Sequence, residues 1–312
     1  MNGTAISDAE RSRLTGRAAM ASTAMAVALI ALKAYAALKT SSMAMLGSLT
    51  DSSLDLVASL IVLLAVRIAA TPADHEHRFG HGKAEALAAL VQVIIITVSA
   101  IFIGFRSVQR LIAGAETGQA ELGITVSAIA IVLTIGLISY QRYVVKRTGS
   151  LAIGTDRLHY SSDLMLNGSV IVALVLDQYF GLVGADAVFG VLIALWLLWG
   201  AWSASSDALH QLMDREWPDE LRQKFLDACK DYPELKGLHD LRTRSSGTHN
   251  FAQFHVWVPA DWTVQEAHDR LDAIEEELQQ RFPATEILIH VDPEGQTDRE
   301  TLLPQEITER AQ

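Results

Sequence analysis

The sequence predicts a membrane all-α bundle of six transmembrane helices, followed by a C-terminal α+β domain of αββαβ, ferredoxin-like order. Three observations carry this. Half of the 312 residues are hydrophobic and only 20% are charged, with a positive mean hydropathy. The long apolar runs are confined to residues 18–206. Most of the acids come after residue 207, so the net charge of −11 belongs largely to the C-terminal third, which argues against nucleic acid as a partner.

A spanning helix needs roughly 20 mostly apolar residues. Six stretches qualify: 16–38, 43–69, 84–112, 122–145, 155–178 and 184–206. The first follows Arg11, Arg13 and Arg17 and ends near "AYA" (34–36), the outline of a cleavable leader. Its apolar run is longer than the roughly 7–15 residues of a leader core, and five more spans follow, so it reads as a span. With the N-terminus inside, the inner segments carry Arg11, Arg13, Arg17, Arg67, Arg78, Lys83, Arg142, Lys146, Arg147 and Arg157. The outer ones carry Lys39, Arg106 and Arg110. This bias places both termini in the cytoplasm.

From Trp217 the pattern becomes that of a small soluble domain. "DELRQKFLDACKDY" (219–232) has helical periodicity, while "LHDLRTRSS" and "NFAQFHVWV" alternate as strands across a Ser-Gly-Thr turn. "TVQEAHDRLDAIEEELQQRF" (263–282) is a second amphipathic helix and "TEILIHV" (285–291) a third strand. The division is a cytoplasmic N-terminal segment 1–15, a transmembrane domain 16–208, a cytoplasmic αββαβ domain 209–294 and a polar tail 295–312 expected to be disordered. Cys229 stands alone, which excludes an intrachain disulfide and a thiolate metal cluster; it reads as a small buried hydrophobe.

"GSLTDSSLDLVASL" (47–60) places Asp51 and Asp55 four residues apart, on one helix face, just before an apolar run. Charge inside a membrane costs about 2.5–3.5 kcal/mol per residue on insertion scales, so such acids suggest function. The plainer alternative is that they cap a helix or sit at the interface. "LHYSSDLMLNGS" in the fifth span answers them with His159 and Asp163, again four apart, and Asn167 on the same face. If spans two and five pack together, three carboxylates and one imidazole form the donor set of a tetrahedral divalent site, suited to zinc and its neighbours.

The two pairs in this order, with "FGHGKAE", "LHYSSD", "HDLRTR" and "IIIT…QRYVV", resemble the cation diffusion facilitator family, most closely its bacterial zinc and ferrous-iron efflux branch. The resemblance covers about residues 12–294. It implies a homodimeric antiporter of the bacterial inner membrane, working by alternating access in the lipid bilayer. A divalent cation leaves the cytoplasm and protons return. Zn2+ is foremost as cargo and as a structural or regulatory ion, with Cd2+, Fe2+ and Mn2+ also suited to the donors. It implies a loop metal site at Asp74, His77 and His81, beside His75 in "PADHEHRFGH". A cytoplasmic-domain site matches His239, His255, His268, His290 and Asp292. Strand alternation independently separates His255, His290 and Asp292 from the apolar face of Ala252, Phe254, Val256, Val258, Ile287, Ile289 and Val291. Relatives often carry Gln where this chain has Val291, which removes a possible ligand for a second metal. The resemblance also implies a charge pair between Lys83 and Asp214. His210 and His249 match nothing.

Other classes fit less well. A membrane metalloenzyme would need a metal with an open position and a base, as on an H-E-x-x-H helix, and His75-Glu76-His77 has the wrong spacing. A membrane-anchored metal sensor would not need ionisable groups inside its anchor. A channel would bind its ion too tightly with four strong ligands.

Overall fold

The computed structural model describes residues 7–40, 43–113, 121–180, 184–247 and 249–295. The tail expected to be disordered lies, from residue 296 onward, outside the described residues. The chain forms two compact units, one ending at Leu209 and the other beginning at His210.

The first unit is built from six long helices: α1 (Asp8–Thr40), α2 (Met43–Ala69), α3 (Ala84–Ala113), α4 (Glu121–Thr148), α5 (Leu151–Phe180) and α6 (Ala185–Leu212), whose last turn enters the second unit. α1 starts well before its apolar run, because the Ser7 hydroxyl accepts a hydrogen bond from the Glu10 amide and caps the polar first turn. α4 passes to α5 through Gly149 at φ +64°, whose amide donates to the Val145 carbonyl at 2.8 Å, the left-handed helix ending that glycine adopts most readily. Ser150 then caps α5 by accepting from the Ile153 amide.

Among the described residues, α1 to α4 and α6 are long and apolar enough to cross a membrane. α5 is long enough too, since its 30 residues extend about 45 Å at 1.5 Å each. Its Asp156, Arg157, His159 and Asp163 dilute its apolarity, so its polar side chains must face other helices. The packing follows membrane rules. Small residues, including Ala18, Ala19, Ala65, Ala88 and Ala152, fill one buried cluster with Val62, Val144 and Ile153 and let the helices approach closely. Large apolar residues such as Ile94, Val98, Phe102, Phe105, Trp199 and Trp202 face outward, where only lipid makes them inexpensive.

The second unit contains α7 (Asp219–Cys229), β1 (His239–Ser246), β2 (His249–Val258), α8 (Val264–Arg281) and β3 (Thr285–Pro293). The sheet order is β1-β2-β3, with β1 antiparallel to β2 and β2 parallel to β3 through the α8 crossover. Phe225 of α7 is fully buried against Trp217, Phe254 and Phe282 in edge-to-face contacts of 5.2–5.8 Å. Leu271, Ile274 and Leu278 present the buried stripe of α8 to the same core. Val291 continues the apolar alternation of β3 but is 37% exposed. α8 begins with a capping box: the Thr263 hydroxyl accepts from the Glu266 amide and the Glu266 carboxylate accepts from the Thr263 amide.

Phe225→Ala should destabilise this unit by about 3–5 kcal/mol and Thr263→Ala by about 1 kcal/mol. The Thr263 backbone hydrogen bond holds the Glu266 carboxyl below its usual range. Its contribution is therefore complete above the ordinary Glu value of about 4.3 and fades as pH falls below it. Hydrogen exchange of α7, β2 and α8 in the detergent-solubilised protein would measure both losses and their order.

Candidate metal centres

α2 and α5 bring their acids and imidazole together inside the membrane unit. His159 Nε2 lies 2.9 Å from Asp55 Oδ1 and 3.9 Å from Asp163 Oδ2. Ligand atoms of all three residues lie within 4.8 Å of one another. Asp51 is one turn before Asp55 on α2, and its side chain lies outside the described residues. The Asn167 amide donates to the Asp163 backbone carbonyl. The Ser162 hydroxyl donates to the His159 carbonyl and steadies the same turn. Two carboxylates and at most one imidazolium leave excess negative charge in a medium of low dielectric, whereas a dication balances both acids and leaves the imidazole neutral.

A second group forms in the connection between α2 and α3. Asp74 Oδ1 accepts from the Glu76 and His77 amides at 2.9 and 2.7 Å, and the His77 hydrogen bond in particular holds the carboxyl below its usual range. Nδ1 of His77 is 3.5 Å from Asp74 Oδ1, and Nε2 of His81 is 3.4 Å from Oδ2. His81 Nδ1 lies 3.3 Å from the Thr71 carbonyl, which can only accept, so Nδ1 carries the hydrogen of this contact and Nε2 is turned toward Asp74. Asp74, His77 and His81 thus converge as a ligand set; His75 is outside it.

The third group is set by sheet register. His239 of β1 pairs with His255 of β2, and His255 pairs with His290 of β3, so three imidazoles stand side by side across the sheet. An irregularity between His239 and Arg242, with Asp240 at φ 49°, aligns the first of them. Asp292 is two residues beyond His290, on the same strand face. Its Oδ2 is 3.2 Å from His239 Nε2 and 3.0 Å from His255 Nδ1, and its Oδ1 is 3.6 Å from His290 Nε2. His239 donates from Nδ1 to the Gly237 carbonyl at 2.6 Å. Its buried Nε2 makes no hydrogen bond among the described residues despite the nearby carboxylate. Gly237 is needed here, because its φ is +61° and a Cβ would enter the Trp257 ring, which itself packs beside His239. His268 is exposed on α8 and is not part of the converging group of one chain.

Lys83 belongs to the membrane unit and Asp214 to the C-terminal one. Within its own unit Asp214 stands 3.5 Å from Arg244.

Sequence reasoning passed over Asp156. It is fully buried on α5, bonded to Gln92 of α3 and Gln141 of α4. The signal was available: an acid within a predicted span, with glutamines in two others.

A helical membrane unit with a buried carboxylate–imidazole group, together with an α+β unit that carries another, is the kind of arrangement expected of a membrane protein that handles cations. The family model for the cation efflux transmembrane domain matches residues 19–213, and that for the cation efflux protein cytoplasmic domain matches residues 217–294. The chain belongs to the cation efflux family, the cation diffusion facilitators. It is 43% identical over 288 residues to the cation-efflux pump FieF of Salmonella newport and to that of Salmonella choleraesuis, covering 92% of this chain and 96% of each relative. Similar solved structures include the zinc form of the zinc transporter CzrB, at 37% identity and a TM-score of 0.25, covering 28% of this chain and 99% of that one. Another is the metal-bound C-terminal domain of the CzcD transporter from Thermotoga maritima, at 25% identity and a TM-score of 0.24, covering 25% of this chain and 93% of that one. These relatives are cation efflux transporters and not enzymes, so the metalloenzyme reading falls away.

Asp292→Ala should lower metal affinity of the C-terminal unit by about 10–100-fold, and more than His268→Ala, because it removes the carboxylate whose two oxygens His239, His255 and His290 approach. Calorimetric titration with Zn2+ should also find fewer than two tight metals in that unit of each chain, since Val291 offers no donor.

Proposed function

We propose that this transporter exports a divalent cation, with Zn2+ the foremost cargo and Cd2+, Fe2+ and Mn2+ as further candidates, from the cytoplasm in exchange for protons. Asp51, Asp55, His159 and Asp163 are its transport site. The observation that carries the reading is the convergence of Asp55, His159 and Asp163 from two membrane helices. A metal binds ionised carboxylates and a neutral imidazole, so loading expels protons and reprotonation expels the metal. Each transport step is then an exchange, and an inward proton gradient drives metal outward while the site faces each side of the bilayer in turn.

The remaining centres fit around this step. Asp74, His77 and His81 bind metal at the α2–α3 connection. His239, His255, His290 and Asp292, with His268, bind Zn2+ as a structural or regulatory ion in a homodimer, which the family description of dimerising cytoplasmic domains supports. Lys83 and Asp214 are the charge pair that the family resemblance implies for holding the dimer halves. The protein lies in the bacterial inner membrane with both termini in the cytoplasm, as the distribution of Lys and Arg favours.

Asp51→Ala, Asp55→Ala, His159→Ala and Asp163→Ala should each abolish metal flux into proteoliposomes while the protein still inserts. Wild-type flux in two or more of them would place the site elsewhere. His159→Asp replaces the nitrogen donor with oxygen and should shift competitive flux from Zn2+ toward Mn2+. An unchanged ratio would remove His159 from the coordination shell.

A further inference from the structure

Asp156 has no part in metal coordination as described, yet it is fully buried and hydrogen-bonded to two other helices. Gln92 of α3 donates to its Oδ1 at 3.2 Å, and Gln141 of α4 donates to its Oδ2 at 2.7 Å and is 3.0 Å from Ser22 Oγ of α1. One turn further along α5, the Tyr160 hydroxyl donates to the Ser22 carbonyl at 3.0 Å and shares a hydrogen bond with Ser59 of α2 at 3.1 Å. Five helices therefore meet on two residues of α5. All six side chains are buried.

Chain direction places this junction. Ser59 follows Asp55 by one turn toward the C-terminal end of α2, and Asp156 precedes His159 by nearly one turn toward the N-terminal end of α5. Both ends lead to the connections 70–83 and 149–150. The junction thus lies on that side of Asp55 and His159. Nearer the same end, Ser150 donates to the buried Glu85 of α3. α3 is tied at this end to α5 through Gln92 and to the α4–α5 corner through Glu85.

The junction is also held in an uneven balance. Both glutamines direct their amide N–H groups to Asp156, and among the described residues Gln92 Oε1 and Gln141 Oε1 are buried without a hydrogen-bond partner. Closed, the cluster gives its carboxylate hydrogen bonds from both glutamines. Opened to water, it exchanges those bonds for hydration, a replacement whose net cost is small beside the gross strength of the bonds lost.

We propose that Asp156 is a positioning residue that seals the transport site from the side of the 70–83 connection, and that the Gln92–Asp156 bond parts when the site opens to that side. α1, α4 and α5 stay joined through Gln141, whereas Gln92 supplies α3 with its single, longer bond to the acid. The inference rests on Asp55, His159 and Asp163 being the transport site.

The test uses the full chain in sealed proteoliposomes, with Ser59→Cys as reporter in a Cys229→Ala background and a membrane-impermeant maleimide on the side of the 70–83 connection. Without metal, Asp156→Asn and Gln92→Ala should each speed labelling of the introduced thiol by about five- to tenfold, the effect of one lost hydrogen bond on a closed state. Turnover should fall while Zn2+ affinity, measured by calorimetry on the same variants without the reporter, stays within about threefold, as for a residue that does not touch the ion. Gln92→Ala carries the test if Asp156→Asn does not fold. Unchanged labelling in a parent that transports Zn2+ would overturn the gate, as would loss of affinity in proportion to turnover. Absent flux in the parent itself would instead overturn the transport reading on which the gate rests.

Discussion

The contact between His159 and Asp55, 2.9 Å apart on two membrane helices, is the constraint around which the molecule is arranged. Carboxylates in a medium of low dielectric are costly unless something positive shares their site. The chain supplies one imidazole for the acids of α2 and α5, too little charge to neutralise them and a suitable donor for a metal that can. Small residues between the helices make the approach possible, and the apolar outer surface keeps the polar faces turned inward. α5 shows the consequence plainly: with Asp156, Arg157, His159 and Asp163 along it, it is the long helix whose composition departs from that of an ordinary span.

Two of the three centres repeat one device. A backbone carbonyl, from Thr71 for His81 and Gly237 for His239, engages Nδ1 and turns a bare Nε2 toward an aspartate. The hydrogen bond selects the tautomer, and local backbone geometry positions the ring. Exposure differs: the Asp74 side chain is 50% exposed, whereas that of Asp292 is 9% exposed beneath its histidines.

Much of this was legible because period and spacing are local properties. The i, i+4 pairs fixed which side chains share a helix face, apolar length marked the helices, and strand alternation separated His255 and Asp292 from Phe254 and Val256. Properties that depend on register between distant segments were not legible. Nothing in "HDLRTR" says that His239 stands opposite His255, since an irregularity in β1 sets that alignment. Asp156 was overlooked for the same reason: its meaning comes from Gln92 and Gln141, which are 64 and 15 residues away in the chain. Val291 alternates as a core residue should, yet it is 37% exposed. His268, matched by resemblance, shares no converging group within one chain.

If binding a dication and binding protons compete at Asp55, His159 and Asp163, a pH difference across the membrane must act as a driving force for metal. The most direct test is Zn2+ flux in oriented vesicles with the metal gradient fixed and the pH gradient varied between pH 6 and 8. Outward movement should speed up as the outer side is acidified relative to the inner, and dissipating the gradient should slow uphill transport while downhill exchange continues. Flux indifferent to the pH gradient across that range would contradict proton exchange and leave a uniporter.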